Sequence, residues 1–291
     1  MGKRVDEVFE TTVRKYGHQV ALRTRKDGRW EGKTWRSYYD DARKVAKGFI
    51  RLGLEPKKGV SIIGYNCPEW LVADVAGIFC GAYPAGIYTT NSAEQVRYIA
   101  HHSESQIAVA ENATQAKKFL AVKDELPHLL AIVQMHGKPE DERVLSWEQL
   151  LELGKEVSDE TLDARISAQR PEDVCTLIYT SGTTGDPKAV MITHENTVAN
   201  VEQIHADFLD GDAPRLTVVS WLPLFHDLGL VVGLFIPLLT GRPGVLFSPF
   251  AFMQKPGRWI KELASHTETL TAAPNFAFDL AARRTTDEDM A

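Results

Sequence analysis

The sequence predicts an α/β protein whose sheets are mostly parallel. Short apolar segments typical of strands alternate with amphipathic segments of helical length along most of the 291 residues. Strands separated by such helices form parallel βαβ units with right-handed crossovers. The composition supports a globular fold, since 44% of the residues are apolar and 25% are charged. In folds of this class, ligands bind at the carboxyl ends of the strands.

The first half of the chain opens with a helix and a hairpin. Apolar spacing from Val5 to Val13 predicts an amphipathic helix, and Lys26-Asp-Gly-Arg predicts a turn between two strands. A longer helix is predicted over residues 34–52. The pattern then predicts strands at 60–64, 85–89, 106–110 and 131–134, and helices at 68–80, 92–101 and 114–125, with Ser92 as the N-cap of the helix at 92–101.

A more polar stretch, residues 135–172, separates the two halves. It predicts a surface loop and then a weak helix at 159–170. We therefore expect a first α/β subdomain over residues 1–170 and a second over residues 171–291. The second half predicts strands at 174–179, 189–193, 216–221, 244–247 and 269–272, and helices at 195–208, 228–239, 256–265 and 274–284.

The charge distribution argues against nucleic acid as a partner. The chain has 33 Lys and Arg against 39 Asp and Glu, a net charge of −6, whereas a protein that holds nucleic acid neutralises its phosphates with excess positive charge. Residues 1–60 are nevertheless basic. Either solvated helix faces or contact with an anionic ligand or lipid headgroups explains this, so a peripheral membrane contact stays open.

Cysteine spacing and hydropathy indicate a cytoplasmic protein without a metal site. Cys67, Cys80 and Cys175 are far apart and form no C-x-x-C motif, so neither a disulfide framework nor a zinc site is predicted. The first residues lack an apolar signal core. The longest uncharged apolar run, Leu228 to Leu239, is shorter than the roughly 20 residues of a membrane span, and it predicts a buried helix.

The segment from Thr180 to Lys188 is the most informative for chemistry. It follows an apolar strand and combines hydroxyls, glycines and one cation in Thr180, Ser181, Gly182, Thr183, Thr184, Gly185, Asp186, Pro187 and Lys188. Glycines let the backbone approach a ligand, hydroxyls donate to phosphate oxygens, and Lys supplies positive charge. The pattern fits a polyphosphate, although its spacing is that of neither a Walker A loop nor a G-x-G-x-x-G fingerprint. The alternative is a Thr/Gly-rich turn between two strands.

The segment Tyr179-Thr-Ser-Gly-Thr-Thr-Gly-Asp-Pro-Lys188 resembles the signature loop of the adenylate-forming superfamily of acyl-CoA synthetases, luciferases and peptide-synthetase adenylation domains. Ala189 departs from the Gly that the family usually shows there. The resemblance implies a layered αβαβα fold. It also implies that residues 180–188 hold the β- and γ-phosphates of ATP, with Mg²⁺, while a carboxylate attacks the α-phosphorus.

The resemblance has two parts, which point to two acceptors. Residues 1–198, with Gly59-Val-Ser-Ile-Ile-Gly-Tyr-Asn-Cys-Pro-Glu-Trp70, resemble bubblegum-type long-chain acyl-CoA synthetases. Residues 200–291 are similar to fatty acyl-AMP ligases. Both groups imply a fatty acid as substrate. The acceptor is coenzyme A for the first group and usually the phosphopantetheine of an acyl carrier protein for the second.

Two further segments are assigned to the acyl substrate by resemblance. The first is Pro223-Leu-Phe-His-Asp-Leu-Gly, which contains His226. In family members the His at this position lies near the reacting carboxylate. The resemblance therefore implies that His226 is catalytic, together with Lys188 of the loop. Pro274 and Asn275 are expected to contact the acyl group. The alternatives are a solvent-facing His226 and core packing of the aromatic residues that follow Asn275. Adjacent residues at a strand-to-helix turn are expected to point apart, so His226 and Asp227 do not predict a hydrolase pair.

A complete family member is about twice as long as this chain. The resemblance implies that the magnesium-binding Glu, the ribose-binding Asp, the hinge and the C-terminal domain with its catalytic Lys lie beyond residue 291. We therefore assign no metal ligand and expect little adenylation from these residues alone. Self-association through an exposed sheet edge is also expected. The rival interpretation is a truncated or chimeric fragment without catalytic activity.

Overall fold

The computed structural model describes residues 2–26, 29–180, 186–209 and 216–290 of the chain. The chain forms two compact units and passes between them more than once. The first unit comprises Met1–Glu7, Tyr39–Gly64 and Glu69–Thr197. The second unit comprises Val8–Tyr38, Tyr65–Pro68 and Val198–Ala291.

Strands and helices alternate along the described residues. The strands are β1 (Val20–Lys26), β2 (Arg29–Thr34), β3 (Gly59–Ile63), β4 (Tyr83–Ile87), β5 (Ser105–Ala110), β6 (Ala131–Gln134), β7 (Val144–Ser146), β8 (Val174–Thr180), β9 (Lys188–Thr193), β10 (Leu216–Ser220), β11 (Gly244–Leu246) and β12 (Glu268–Leu270). The helices are α1 (Val5–Tyr16), α2 (Trp35–Arg51), α3 (Pro68–Phe79), α4 (Ala93–His102), α5 (Ala113–Leu120), α6 (Trp147–Gly154), α7 (Asp159–Ser167), α8 (His194–Phe208), α9 (Asp227–Leu230), α10 (Ile236–Thr240), α11 (Pro249–Gln254), α12 (Gly257–Ala264), α13 (Asn275–Arg284) and α14 (Asp287–Met290). A 3₁₀ turn forms at Lys123–Glu125 and a π-helical turn at Val231–Phe235.

The sheet of the first unit has the strand order β7-β6-β5-β3-β4-β8-β9. Neighbouring strands are parallel except for β8 and β9, which form an antiparallel hairpin. The central strands β3 and β5 are buried along their whole length, as is usual for parallel strands covered on both faces. Strands and helices of this unit share an apolar cluster that includes Ile63, Ile87, Val96, Ile99, Phe119, Ile132 and Leu177.

Helix α4 begins at the residue that the sequence indicates. The Ser92 hydroxyl accepts the N–H of Gln95 at 3.3 Å, and the Gln95 side chain accepts the N–H of Ser92 at 2.9 Å. This reciprocal pair is a capping box, which satisfies two backbone donors at the start of the helix. The prediction of Ser92 as the N-cap is confirmed.

The sheet of the second unit has the strand order β12-β10-β11-β1-β2. Its strands are parallel except for the hairpin of β1 and β2. An aromatic cluster packs in the core of this unit. The ring of Trp221 stacks on Phe252 with centroids 3.9 Å apart, and Trp259 meets both rings edge-on. The hydroxyl of Thr271 accepts the indole N–H of Trp259 at 3.1 Å, so this buried donor is satisfied.

The predicted α/β class with mostly parallel sheets is confirmed, and each sheet carries one antiparallel hairpin. The compact units differ from a division of the chain at residue 170. Residues 171–197 pack in the first unit, because β8 pairs with β4. Residues 8–38 pack in the second unit, because β1 pairs with β11. Pairings between strands so distant in sequence are not visible in hydrophobic periodicity.

The apolar run predicted as one helix over residues 228–239 is corrected in detail. It is helical and largely buried, but it comprises α9, the π-helical turn and α10 in succession. A Cβ atom at Gly229 would lie 1.9 Å from the carbonyl oxygen of Pro223, so only glycine allows the chain to turn this closely. Composition indicated burial, whereas the change in hydrogen-bond spacing had no signal in the sequence.

Candidate functional site

The candidate phosphate loop, residues 180–188, joins β8 to β9. Thr180 pairs with Lys188 across the hairpin, and both side chains are exposed. Asp186 is also exposed, and Pro187 is half-buried. Outside the described residues lie Ser181, Gly182, Thr183, Thr184 and Gly185. A hydroxyl and an ammonium group therefore stand on opposite strands at the base of the predicted loop.

This hairpin lies at the carboxyl edge of the first sheet. Strand β8 is parallel to β4, with Leu177 opposite Ala85. Thr180 therefore follows the sheet at the same edge as the ends of β3 and β4. Ligands of open α/β sheets bind at this edge, outside the carboxyl ends of the strands. A cation and a hydroxyl at such a position are suited to a phosphate group.

Two side chains of α4 contact the strands on either side of the loop. The hydroxyl of Tyr98 donates to the carbonyl of Pro187 at 3.1 Å, and Nδ1 of His102 lies 2.9 Å from the hydroxyl of Tyr179. Burial raises the pKa of Tyr179 above its usual value, so this hydroxyl stays neutral. Sequence reasoning missed Tyr98 and His102, because only the pairing of β8 with β4 brings α4 beside the hairpin.

His226 stands between β10 and α9 in the second unit. It is the N-cap residue of α9, but its side chain makes no capping hydrogen bond and is 52% exposed. Its Nδ1 lies 2.5 Å from Oδ1 of Asp227. The expectation that these adjacent side chains point apart is therefore wrong. The short α9 leaves both side chains at the surface, where they turn toward each other, and the carboxylate orients the imidazole ring.

Asn66 fixes the segment that leads to His226. Its side-chain amide donates to the carbonyls of Leu222 at 2.8 Å and Phe247 at 3.2 Å. Its side-chain oxygen accepts the N–H of Leu224 at 3.2 Å. One side chain thus ties together the backbone after β10 and after β11. Sequence reasoning gave Asn66 no role, since nothing in the local pattern shows that it reaches a segment more than 150 residues later.

Pro274 and Asn275 begin α13, which follows β12. Both residues are exposed, and Pro274 is the N-cap residue of the helix. The next aromatic residue, Phe276, is 55% exposed, and its ring centroid lies 6.5 Å from that of Trp221. Strands β10 and β12 are parallel neighbours, so His226 and Asn275 follow the same edge of the second sheet. Core packing of this segment is therefore only partial.

The predicted site residues fall into two groups, one in each compact unit. Thr180, Asp186, Pro187 and Lys188 belong to the first unit, and His226, Pro274 and Asn275 belong to the second. Each group follows the carboxyl ends of parallel strands. The first group supplies donors for an anion, and the second combines an imidazole and an amide with exposed aromatic surface.

A sequence model of the family described as AMP-binding enzyme matches residues 9–290. The chain belongs to the AMP-binding enzyme family. This membership agrees with the resemblance of residues 179–188 to the signature loop of adenylate-forming enzymes. The family match extends over both compact units.

Named relatives of this AMP-binding chain are long-chain-fatty-acid–CoA ligases. The ligase ACSBG2 of Xenopus laevis is 40% identical over 277 residues, which cover 88% of this chain and 38% of that protein. ACSBG2 of Gallus gallus is 42% identical over 246 residues, which cover 82% of this chain and 32% of that protein. The chain thus spans less than two-fifths of the length of these relatives.

A solved structure shows the same fold. The fatty acyl-adenylate ligase from L. pneumophila, in complex with acyl adenylate and pyrophosphate, matches with a TM-score of 0.80 at 23% sequence identity. The match covers 98% of this chain and 47% of that one. The chain therefore shares its fold with about half of that ligase chain.

Among the described residues, none of the helices is both long enough and apolar enough to cross a bilayer.

Proposed function

We propose that this chain carries the ATP phosphate loop and part of the acyl pocket of a ligase that activates long-chain fatty acids. The supporting observation is the pairing of Thr180 with Lys188 at the carboxyl edge of a parallel sheet, where both side chains are exposed. The relatives' names supply the substrate class, since ACSBG2 of Xenopus laevis is a long-chain-fatty-acid–CoA ligase.

The proposed chemistry has two steps. A carboxylate oxygen of the fatty acid attacks the α-phosphorus of ATP, the bond to pyrophosphate breaks, and an acyl-adenylate forms. A thiolate then attacks the acyl carbon, and AMP leaves. In the first step the ammonium of Lys188 offsets charge on the phosphates, and the hydroxyl of Thr180 donates to a phosphate oxygen. Mg²⁺ bound with ATP would offset further negative charge on the phosphates.

His226 is proposed to hold the oxygens of the acyl phosphate. Its Nδ1 lies against the carboxylate of Asp227 at 2.5 Å, which fixes the ring and favours a proton on Nδ1. We assign Nε2 to the acyl-phosphate oxygen. Asn275, at the start of α13 and at the same edge of the second sheet, is proposed as a polar contact for the acyl group, with Pro274 beside it.

Coenzyme A is the proposed acceptor, because the named relatives at about 40% identity are CoA ligases. The phosphopantetheine arm of an acyl carrier protein is the second candidate. The two are separated by supplying an acyl-adenylate to the full-length protein together with either acceptor. Thioester formed with free coenzyme A supports the first, and thioester formed only with the carrier protein supports the second.

The phosphate loop is tested by titrating the chain with MgATP in a calorimeter. Lys188→Ala should weaken MgATP binding by about tenfold or more, because a charge-assisted hydrogen bond is worth about 1.5–3 kcal/mol. The matched control is Lys261→Ala, which removes an exposed lysine from α12. It should leave the affinity unchanged.

The acyl pocket is tested with a stable acyl-adenylate analogue. His226→Ala should weaken binding of the analogue, whereas His205→Ala, at an exposed position of α8, should not. A folded chain that binds neither MgATP nor the analogue would contradict the proposal. The rival interpretation, a structural fragment without ligand recognition, would then stand.

A further inference from the structure

Helix α4 holds the backbone at one end of the candidate phosphate loop. The hydroxyl of Tyr98 donates to the carbonyl oxygen of Pro187 at 3.1 Å. Pro187 immediately precedes Lys188, the first residue of β9. Tyr98 is half-buried in the helix, so its ring is fixed by packing and its hydroxyl reaches the loop from a rigid element.

The same helix holds the strand at the other end of the loop. His102 follows Tyr98 by four residues and stacks on it, with ring centroids 5.7 Å apart and planes at 19°. Nδ1 of His102 lies 2.9 Å from the hydroxyl of Tyr179, which also lies 3.5 Å from the carbonyl oxygen of Ile99. Tyr179 is only 3% exposed and directly precedes Thr180.

The contact between His102 and Tyr179 suits either tautomer of the imidazole. When Nδ1 carries no proton, the hydroxyl of Tyr179 donates to it. When Nδ1 carries a proton, the ring donates to the phenol oxygen, and the hydroxyl can donate to the carbonyl of Ile99. Tyr179 therefore keeps a hydrogen bond to α4 whichever ring nitrogen of His102 carries the proton.

We infer that Tyr98 and His102 are positioning residues that fix both ends of the phosphate loop before a ligand arrives. The inference rests on the proposed function of residues 180–188 in holding the β- and γ-phosphates. Binding of a polyphosphate costs conformational entropy wherever it orders the backbone that contacts it. Two anchors on one capped helix reduce this cost, because they fix the strand ends in the free protein. Neither side chain is assigned a contact with ATP.

The test separates ligands that reach the loop from a ligand that does not. MgATP carries the β- and γ-phosphates, whereas a stable acyl-adenylate analogue carries only the α-phosphate. Tyr98→Phe removes one hydroxyl and keeps the ring. This variant should bind MgATP about three- to tenfold more weakly, the range expected for the loss of one hydrogen bond, and should bind the analogue with unchanged affinity.

Three further variants sharpen the result. Tyr83→Phe removes a hydroxyl from a half-buried tyrosine at the first residue of β4, the opposite end of that strand from the loop, and should change neither affinity. His102 is exposed, so it tolerates substitution. His102→Leu should weaken binding of MgATP to about the same extent as Tyr98→Phe. His102→Asn, which keeps a polar atom close to the position of Nδ1, should restore most of the affinity.

The outcomes distinguish the inference from the function on which it rests. If the wild-type chain binds MgATP and Tyr98→Phe and His102→Leu bind it equally well, the inference is wrong and the proposed function stands. If both variants lose affinity for MgATP and for the analogue to the same extent, the two residues stabilise the fold in general and the inference is again wrong. If the folded wild-type chain binds no MgATP, the proposed function fails and the inference fails with it.

Discussion

At the scale of single residues, burial shifts the pKa values of two titratable groups of the first unit in opposite directions. Asp74 lies in the middle of α3, is 1% exposed, and has a carboxyl oxygen Oδ1 without a hydrogen-bond partner. Burial raises the pKa of this carboxyl to about 8. His194, at the start of α8, is fully buried, and burial lowers its pKa to about 4. Each group is therefore neutral in the folded chain at pH 7.

Asp74 should make the folded chain less stable as pH rises. Below about pH 4 the carboxyl is protonated in both states, whereas between about pH 4 and 8 only the unfolded chain ionises, so the free energy of unfolding falls across this window. Asp74→Asn removes the effect and should raise the free energy of unfolding by roughly 2 kcal/mol at pH 7. Urea denaturation at several pH values measures it. Exposed Asp207→Asn is the control, and an equal pH slope in all three proteins would contradict the prediction.

His194 should act in the opposite sense. Its Nδ1 accepts the N–H of Val5 at 3.2 Å, and its Nε2 donates to Oε1 of Gln169 at 3.0 Å, an arrangement that requires the neutral ring. As pH falls from about 6.5 toward 4, the unfolded chain takes up a proton that the folded chain does not, so stability falls.

The substitution His194→Gln should give two changes in the same denaturation experiment. Stability at pH 7 should drop by about 1–3 kcal/mol because the buried N–H of Val5 loses its acceptor. The loss of stability between about pH 6.5 and 4 should become smaller. His205→Gln, at an exposed position of α8, should keep the wild-type pH dependence. If His194→Gln keeps it as well, the buried neutral imidazole is not its source.

Residue types in the candidate site were predictable where the chemistry is local. Hydroxyls, glycines and Lys188 within one short segment indicate phosphate binding without knowledge of the fold. Tyr98, His102 and Asn66 were not predictable, because each acts on a segment far away in sequence. The interaction of His226 with Asp227 was predicted wrongly, since side-chain direction at the start of a one-turn helix depends on local geometry that residue order does not give.

At the scale of elements, the turn before α9 depends on one glycine. A Cβ atom at Gly229 would meet the carbonyl oxygen of Pro223 at 1.9 Å, far inside van der Waals contact. Helix propensity alone favours alanine over glycine by about 1 kcal/mol. The clash should outweigh this gain, because relieving it requires movement of the backbone between β10 and His226.

Gly229→Ala should therefore lower the free energy of unfolding by about 1–3 kcal/mol and weaken the acyl-adenylate analogue. Gly32→Ala is the matched control, because a Cβ atom there would meet Val20 at an ordinary 3.6 Å. Thermal denaturation and calorimetry measure the two effects. A gain in stability for Gly229→Ala would contradict this prediction. It would show that the higher helix propensity of alanine outweighs the clash, because the backbone relaxes at little cost in free energy.

Elements with a strong local signal were predicted well. Ser92 as the N-cap of α4 and the hairpin of β1 and β2 were predicted from a few residues. Helices α6 and α11, of eight and six residues, were missed, and α6 lies within the polar stretch of residues 135–172 that was interpreted as a loop and a weak helix. The π-helical turn was also missed, because a helix that is apolar on all sides carries no periodicity that could reveal a shift in register.

At the scale of the whole molecule, the alternation of strands and helices predicted the fold class but not the assignment of strands to sheets. β1 pairs with β11, where Leu22 lies opposite Gly244, and β8 joins the sheet built by the first half of the chain. Such pairings depend on packing between distant segments. The polar stretch at 135–172 suggested a boundary, yet the first sheet continues past it.

The position of the boundary can be tested by two truncations that differ in residues 171–197, which contain the hairpin of β8 and β9 and the first turn of α8. A fragment of residues 1–170 lacks both strands, so β4 keeps β3 but loses β8 and becomes an edge strand, and the apolar cluster of the first unit loses Leu177. A fragment of residues 1–197 restores the seven-stranded sheet. Both fragments keep residues 8–38 without the second sheet, so this defect is common to both.

We expect the longer fragment to melt cooperatively and at higher temperature, and to resist limited proteolysis longer, because an added strand and its apolar contacts stabilise a sheet edge. Equal melting of the two fragments would place the folding boundary at residue 170 and make the hairpin a peripheral addition, in which case the phosphate loop would rest on a strand that the first unit does not need.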